Sequence, residues 1–239
     1  MVLAVKSRSR VSLVIYLATE RGVRNVKRIY KSIEDSISVV DAYIVYYGLR
    51  AFKRLMDIPT FHSEPPYCRG KAILSGANLV ISPVIVVVNG DTSCFSIDSI
   101  SNAVTKVLSG ETLLYLSKPQ TNTNFTDVYR SFLQGILREL GIAQSILYPS
   151  YSIVVGLHKL LTTVPYSMWS IEQLAAMNLR EEALVVENNS CIDSTIDYIK
   201  GFEETFVKDL ARKAVEMALQ RNIISKNRAE EYLKRIEAA

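Results

Sequence analysis

The stretch that decides the fold class runs from Arg69-Gly70-Lys71-Ala72 to Ser82-Pro83-Val84-Ile85-Val86-Val87-Val88-Asn89-Gly90-Asp91-Thr92. The basic, glycine-bearing turn opens a helix expected over 72–81. Ser82-Pro83 breaks it, because proline has no N–H with which to continue a helix. Val84 to Val88 is an unbroken apolar run, the pattern of a strand buried on both faces in the middle of an α/β sheet. The strand ends in an acid, Asp91, on a short polar turn. Ligands of such sheets bind outside the carboxyl ends of the strands, so Asp91 stands where a bound group would lie.

Outward from this unit the same alternation repeats. Val11 to Ala18 is rich in branched residues and reads as a strand. Glu20 to Ser36 follows as a helix with Val23, Val26, Ile29 or Tyr30, Ile33 and Ile37 on one stripe. Asp41 to Tyr47 is a second strand stopped by Gly48, Leu49 to Met56 a short helix, and Thr60 to Tyr67 a proline-bearing stretch. A strand-helix-strand order predicts an α/β fold with a doubly wound, mainly parallel sheet. Further on, a helix over 97–108 closes at Gly110, and Glu111 to Leu116 reads as a strand. Ser117 to Asn124 is the longest loop signal in the chain, and long polar loops in compact domains are commonly functional. Helices are expected over 126–140, 153–161 and 169–177, with a strand over 183–187. From Thr195 onward the chain reads as helix, with Phe202, Phe206, Leu210, Ala214 and Met217 at helical spacing. After a break near Asn222 to Ser225, a second helix turns Tyr232, Leu233 and Ile236 inward. The organisation expected is one domain over 1–195 and a helical carboxyl-terminal extension, 196–239, packed on it. A homodimer interface is the competing reading of that apolar stripe.

The 239 residues are 49% hydrophobic and 22% charged, a composition that excludes disorder and allows a substantial core. No apolar run approaches the roughly 18–20 residues of a spanning helix, and the basic amino terminus lacks the apolar segment of a signal peptide. Cys68, Cys94 and Cys191 are too scattered for a disulfide framework or a zinc cluster, so a reduced, cytoplasmic protein is expected. The net charge of +4 is unevenly placed. Lys6, Arg8, Arg10, Arg21, Arg24, Lys27, Arg28 and Lys31 face only Glu20 in the first 31 residues. This is a solvated helix face with a basic tail, a field that draws anionic substrates, or a peripheral contact with acidic lipid headgroups. Nucleic acid is not expected, since no aromatic-basic interleaving or recognition helix accompanies the charge.

Taken together, the pieces resemble nucleotide-sugar glycosyltransferases of the GT-A fold, which is related to the Rossmann fold. Val11 to Glu20 resembles their opening strand, which commonly ends in Asn-Glu before a helix. Arg69-Gly70-Lys71-Ala72 is similar to their Gly-Lys-Gly turn, and Asn89-Gly90-Asp91 falls where they carry Asp-x-Asp. Tyr151-Ser152-Ile153-Val154-Val155-Gly156-Leu157 resembles the Gly-Tyr-(Gly/Ser)-(Val/Ile)-Glu segment of the glucosyl- and mannosyl-3-phosphoglycerate synthases. The resemblance implies transfer of a sugar from a nucleotide diphosphate donor to a small or lipid-linked acceptor, assisted by Mg²⁺ or Mn²⁺. It places Asp91 and Asn89, with Asp193 close to a late metal-binding position, around the cation. It places Gly70 and Lys71 under the diphosphate and Thr19, Glu20 and Tyr46 around the base. The loop from Ser117 to Asp127 would receive the acceptor, with Lys118, Asn124, Thr126 and Asp127 as contacts. Glu172 corresponds to the general base of inverting members, a role that suits a carboxylate whose pKa burial has raised.

The departures are equally specific. The second strand ends Val45-Tyr46-Tyr47-Gly48 where the family often has Val-Asp-Asp-Gly, so an aromatic replaces the acid that reads the base. The first acid of Asp-x-Asp is Asn89, and the Glu of the Gly-Tyr segment is Val154. The acceptor motif Arg-Val-Thr-Glu-Leu matches Asn124-Phe125-Thr126-Asp127-Val128, without the arginine that would clamp a phosphate in two-pronged fashion. Asp91 also reads as a turn or capping acid, Glu20 as an ordinary first-turn acid, Lys71 as an exposed helix lysine and Glu172 as part of a helix start. His158 reads as a plain helix residue and His62 as a loop residue. Two other classes therefore stay open: a GT-A-fold binding or scaffold protein without catalysis, and a nucleotidyltransferase. The second would carry a Gly-x-Gly-x-Arg loop after the first strand, where this chain has Ala18-Thr19-Glu20-Arg21-Gly22.

Overall fold

The structure, a computed structural model, describes residues 10–48, 58–63, 68–92, 95–120, 132, 135–140, 151–168, 171–179, 183–192 and 203–238. Its centre is β1 (Arg10–Leu17), which pairs in parallel with β2 (Ser38–Tyr46) on one side and β4 (Val84–Asn89) on the other. The helix α1 (Glu20–Ser36) joins β1 to β2; Thr19 caps it by accepting a hydrogen bond from Gly22 N. β3 (Thr60–His62) extends the sheet beyond β2, and α2 (Arg69–Ala77) carries the chain back across to β4. Connections running to opposite sides of β1 lay their helices on opposite faces. α1 packs one face and α2 the other.

The second half adds α3 (Ile97–Ser109), β5 (Leu114–Gln120), β6 (Ile153–Leu157), α4 (His158–Thr162), α5 (Ile171–Leu179), β7 (Ala183–Ile192), α6 (Glu203–Gln220) and α7 (Lys226–Ala238). The seven strands are ordered β3-β2-β1-β4-β6-β5-β7, and β6 runs antiparallel to both its neighbours. Strand alternation divides the core into two layers. Leu13, Ile15, Val86, Val88 and Val155 face α1 and α3, while Val14, Tyr16, Val87 and Val154 face α2, α5, α6 and α7. The sheet is thus doubly wound and mainly parallel, as expected, and the last two helices, α6 and α7, pack on one of its faces.

Several expected elements differ. Ile153-Val154-Val155 begins a strand and not a helix; β-branched residues buried on both sides suit the sheet centre, and a short apolar run does not by itself distinguish the two. The helix starts only at His158. β5 begins at Leu114 and continues through Ser117 to Gln120, so the first residues of the expected loop are strand, paired with β7. Thr60 to His62, the start of the proline-bearing stretch, forms an edge strand, a position that tolerates nearby prolines. α2 begins at Arg69, so the basic turn is the first turn of the helix itself, and it ends at Ala77. The helix expected over 49–56 lies outside the described residues, as does most of the one over 126–140, of which 132 and 135–139 are helical.

Candidate functional site

The strand order reverses direction at β1, so the crevice between the carboxyl ends of β1 and β4 is the topological switch point where such sheets bind ligands. Ala18 and Thr19 leave β1 there, and Asn89-Gly90-Asp91 leaves β4. The last ladder pair is Tyr16 with Asn89. Gly90 N continues the connection by donating to Tyr16 O at 2.8 Å.

Asp91 is buried, and its carboxylate points into the β1–α1 turn. Oδ2 accepts from Ala18 N at 2.8 Å, and Oδ1 accepts from Thr19 N at 3.0 Å and from Thr19 Oγ1 at 2.6 Å. Burial raises the Asp91 carboxyl above its ordinary value; the Thr19 and Ala18 hydrogen bonds offset part of that. A Cβ on Gly22 would sit 2.3 Å from Asp91 Oδ1, so a glycine is required for this approach. Asn89 is buried as well, and its Oδ1 accepts from Asp91 N at 3.0 Å. A divalent cation of the Mg²⁺ or Mn²⁺ kind needs oxygen lone pairs converging on it. Here the oxygens of Asp91 and Asn89 are turned toward backbone and hydroxyl donors of the chain itself. As arranged, this pair does not fit a cation. Among the described residues no group of three His, Cys, Asp or Glu side chains comes together to hold one. Asp193 lies outside the described residues.

The other residues expected around the donor lie in the first turn of α1, at the end of β2 and in the first turn of α2. Glu20 is exposed in the first turn of α1, and Lys71 is half-buried in the first turn of α2. Tyr46 is buried at the end of β2 beneath exposed His62, their rings 5.5 Å apart and 24° from parallel. His62 Nε2 donates to Gly48 O at 2.9 Å. Gly70 is not open to a ligand. Its N–H donates to Met168 O at 2.7 Å, and an added Cβ would lie 1.9 Å from Ser167 O. Lys118 lies in β5, in register with Glu187 of β7. Asn124, Thr126 and Asp127 lie outside the described residues. His158 is a structural helix residue, its Nε2 donating to Ala77 O at 2.7 Å.

Glu172 is fully buried on α5 and forms an ion pair with Arg69, the first residue of α2. The Arg69 guanidinium also lies 6.0 Å from the ring of buried Tyr16, whose hydroxyl donates to Tyr151 O at 3.3 Å. Burial would lower the Arg69 pKa, but the Glu172 carboxylate outweighs it and holds the guanidinium above its ordinary value. A base must reach the acceptor hydroxyl; in this arrangement the Glu172 carboxylate faces an arginine inside the core. Arg69 and Tyr16 were not singled out by the sequence pattern. The available signal was Glu172 itself, a charge among Ile171, Leu174, Ala175 and Ala176, since a buried charge requires a partner.

No protein-family profile and no curated protein sequence matches the chain. Solved structures do. Mannosyl-3-phosphoglycerate synthase from Rubrobacter xylanophilus superposes with a TM-score of 0.64 at 11% identity, covering 90% of this chain and 76% of that one. Glucosyl-3-phosphoglycerate synthase from Mycobacterium tuberculosis, in complex with Mn²⁺ and UDP-glucose, gives 0.63 at 14% identity over 85% of this chain and 79% of that one. A mycobacterial protein gives 0.64 at 14% identity, over 85% and 74%. These superpositions show that the chain, with its seven-stranded, mainly parallel sheet, has a GT-A-like fold.

Proposed function

We propose that this chain binds a nucleoside-diphosphate sugar at the β1/β4 crevice and transfers the sugar to an acceptor hydroxyl. The observation that carries the reading is the convergence, at the switch point of a GT-A-like sheet, of the β1–α1 turn, the end of β2 and the turn after β4. Glu20 and Tyr46 are the contacts proposed for the nucleoside, and Lys71, on the first turn of α2, for a phosphate oxygen. Transfer needs the leaving diphosphate stabilised and the acceptor oriented with water excluded. The acceptor is assigned to the chain that follows β5, which leads into 121–127.

A second reading, a GT-A-fold module that binds a nucleotide sugar without transferring it, is favoured by the burial of Glu172 against Arg69. One panel separates the two. UDP-, GDP- and ADP-sugars are tested for a rise in Tm, each with Mn²⁺ and with EDTA, because a ligand of the native state alone stabilises it. Any donor that binds is then followed for sugar release. Binding with slow hydrolysis of the sugar supports the transferase, and binding without any turnover supports the module. No shift with any donor overturns both.

A further inference from the structure

The hydrogen bonds of the Asp91 carboxylate reach one neighbouring element. Asp91 belongs to the turn after β4, whereas the donors Ala18 N, Thr19 N and Thr19 Oγ1 to its carboxylate belong to the β1–α1 turn. The strands stop pairing at Tyr16 and Asn89, and beyond that point Gly90 N and the Asp91 carboxylate continue the union. Four residues form a matched set. Thr19 both caps α1 and donates to Asp91, Gly22 leaves room for Oδ1, Asn89 fixes the Asp91 N–H, and Asp91 fills the space between. A group that accepts hydrogen bonds through both oxygens suits an acceptor-only carboxylate.

We propose that Asn89-Gly90-Asp91 is a clasp that fastens the β1–α1 turn to β4, and that it holds no divalent cation. A phosphate-bearing ligand at this crevice is then bound without a metal ion on Asp91. The clasp itself stands whether or not a donor binds.

Two measurements test it. In the first, free Mn²⁺ is counted by its electron paramagnetic resonance signal, with UDP alone and with UDP plus the protein. The expected result is the same free Mn²⁺ in both samples. Uptake of Mn²⁺ that persists in Asp91→Ala, which has no side-chain oxygen to ligate the ion, also agrees, because the ion then lies elsewhere. Uptake by the parent that disappears in a folded Asp91→Ala protein overturns the proposal. In the second, Tm is measured in EDTA. The amide nitrogen of Asp91→Asn must face Ala18 N or Thr19 N, donor against donor, so Tm is expected to fall by roughly 4 °C or more. An unchanged Tm overturns the clasp. Should Asp91→Asn not fold, Thr19→Val and Thr19→Ser decide. Valine is expected to lose about 2–4 °C and serine to retain the parent Tm; equal Tm in all three proteins overturns the clasp. Where Asp91→Asn folds, its pairing with Thr19→Val is expected to lose less than the sum of the single losses, as contacting residues do. If UDP fails to bind while the Tm results hold, the donor reading falls and the clasp remains.

Discussion

Arg69 enters α2 carrying a charge that the core cannot leave unmatched, and Glu172 is 103 positions away in sequence. Two ions taken out of water lose several kcal/mol of solvation each, and their attraction returns this only while both are present. Removing one partner should therefore be costly and removing both much less so. Glu172→Gln is expected to lower unfolding stability by about 3–5 kcal/mol in urea denaturation, and Arg69→Met by a similar amount. The pair Arg69→Met with Glu172→Leu should recover most of the loss. A Glu172→Gln protein with parental stability but no transfer would instead make the carboxylate a catalytic group. The sequence marks Asp91 by its place at a strand end, whereas it offers Glu172 only through the family resemblance and as part of a helix start. It joins neither to its partner: Thr19, expected beside the base, lies 72 positions from Asp91, and periodicity is a local property.

At the scale of elements, local signals were read well wherever the element carried its own ends. α1 runs over Glu20–Ser36 as its stripe and first-turn acid predict, and α3 stops at Gly110, whose φ of 78° is left-handed and open to glycine. β6 was misread because its strand character comes from β4 and β5 on either side, not from its own alternation. Within the turn Arg69-Gly70-Lys71, Gly70 has a packing role that the sequence pattern does not show. The turn's shape invites a phosphate, yet Gly70 is there so that α2 can approach the backbone of Ser167 and Met168. Gly70→Ala separates the two roles. In an open helix the change would gain about 1 kcal/mol, but the added methyl meets a carbonyl at 1.9 Å and overpacking of that kind costs about 1–3 kcal/mol. A net loss of stability in urea denaturation, with no donor present, is the expected outcome. A protein of parental or greater stability that has lost donor binding would return Gly70 to the ligand.

Over the whole molecule, the question is whether the carboxyl-terminal helices are a separate unit or part of the sheet's own core. Phe206, Leu210, Ala214, Met217, Tyr232 and Ile236 are buried in the same apolar cluster as Val14, Ile85, Val87 and Val154. α2 and α5 share that layer, so α6 and α7 cover a sheet face that would otherwise meet water. Exposing such a face removes the hydrophobic term that opposes chain entropy. Cooperative unfolding of the whole chain follows: far-ultraviolet circular dichroism and fluorescence of the sole tryptophan, Trp169, should trace one coincident transition in urea. Phe206→Ala, far from the β1/β4 crevice in sequence, should cost about 3–5 kcal/mol. It should move both probes together, because the cavity it leaves lies in the shared layer. Two separated transitions, with Phe206→Ala shifting only one of them, would instead make 196–239 an independently folding extension whose apolar stripe serves another surface.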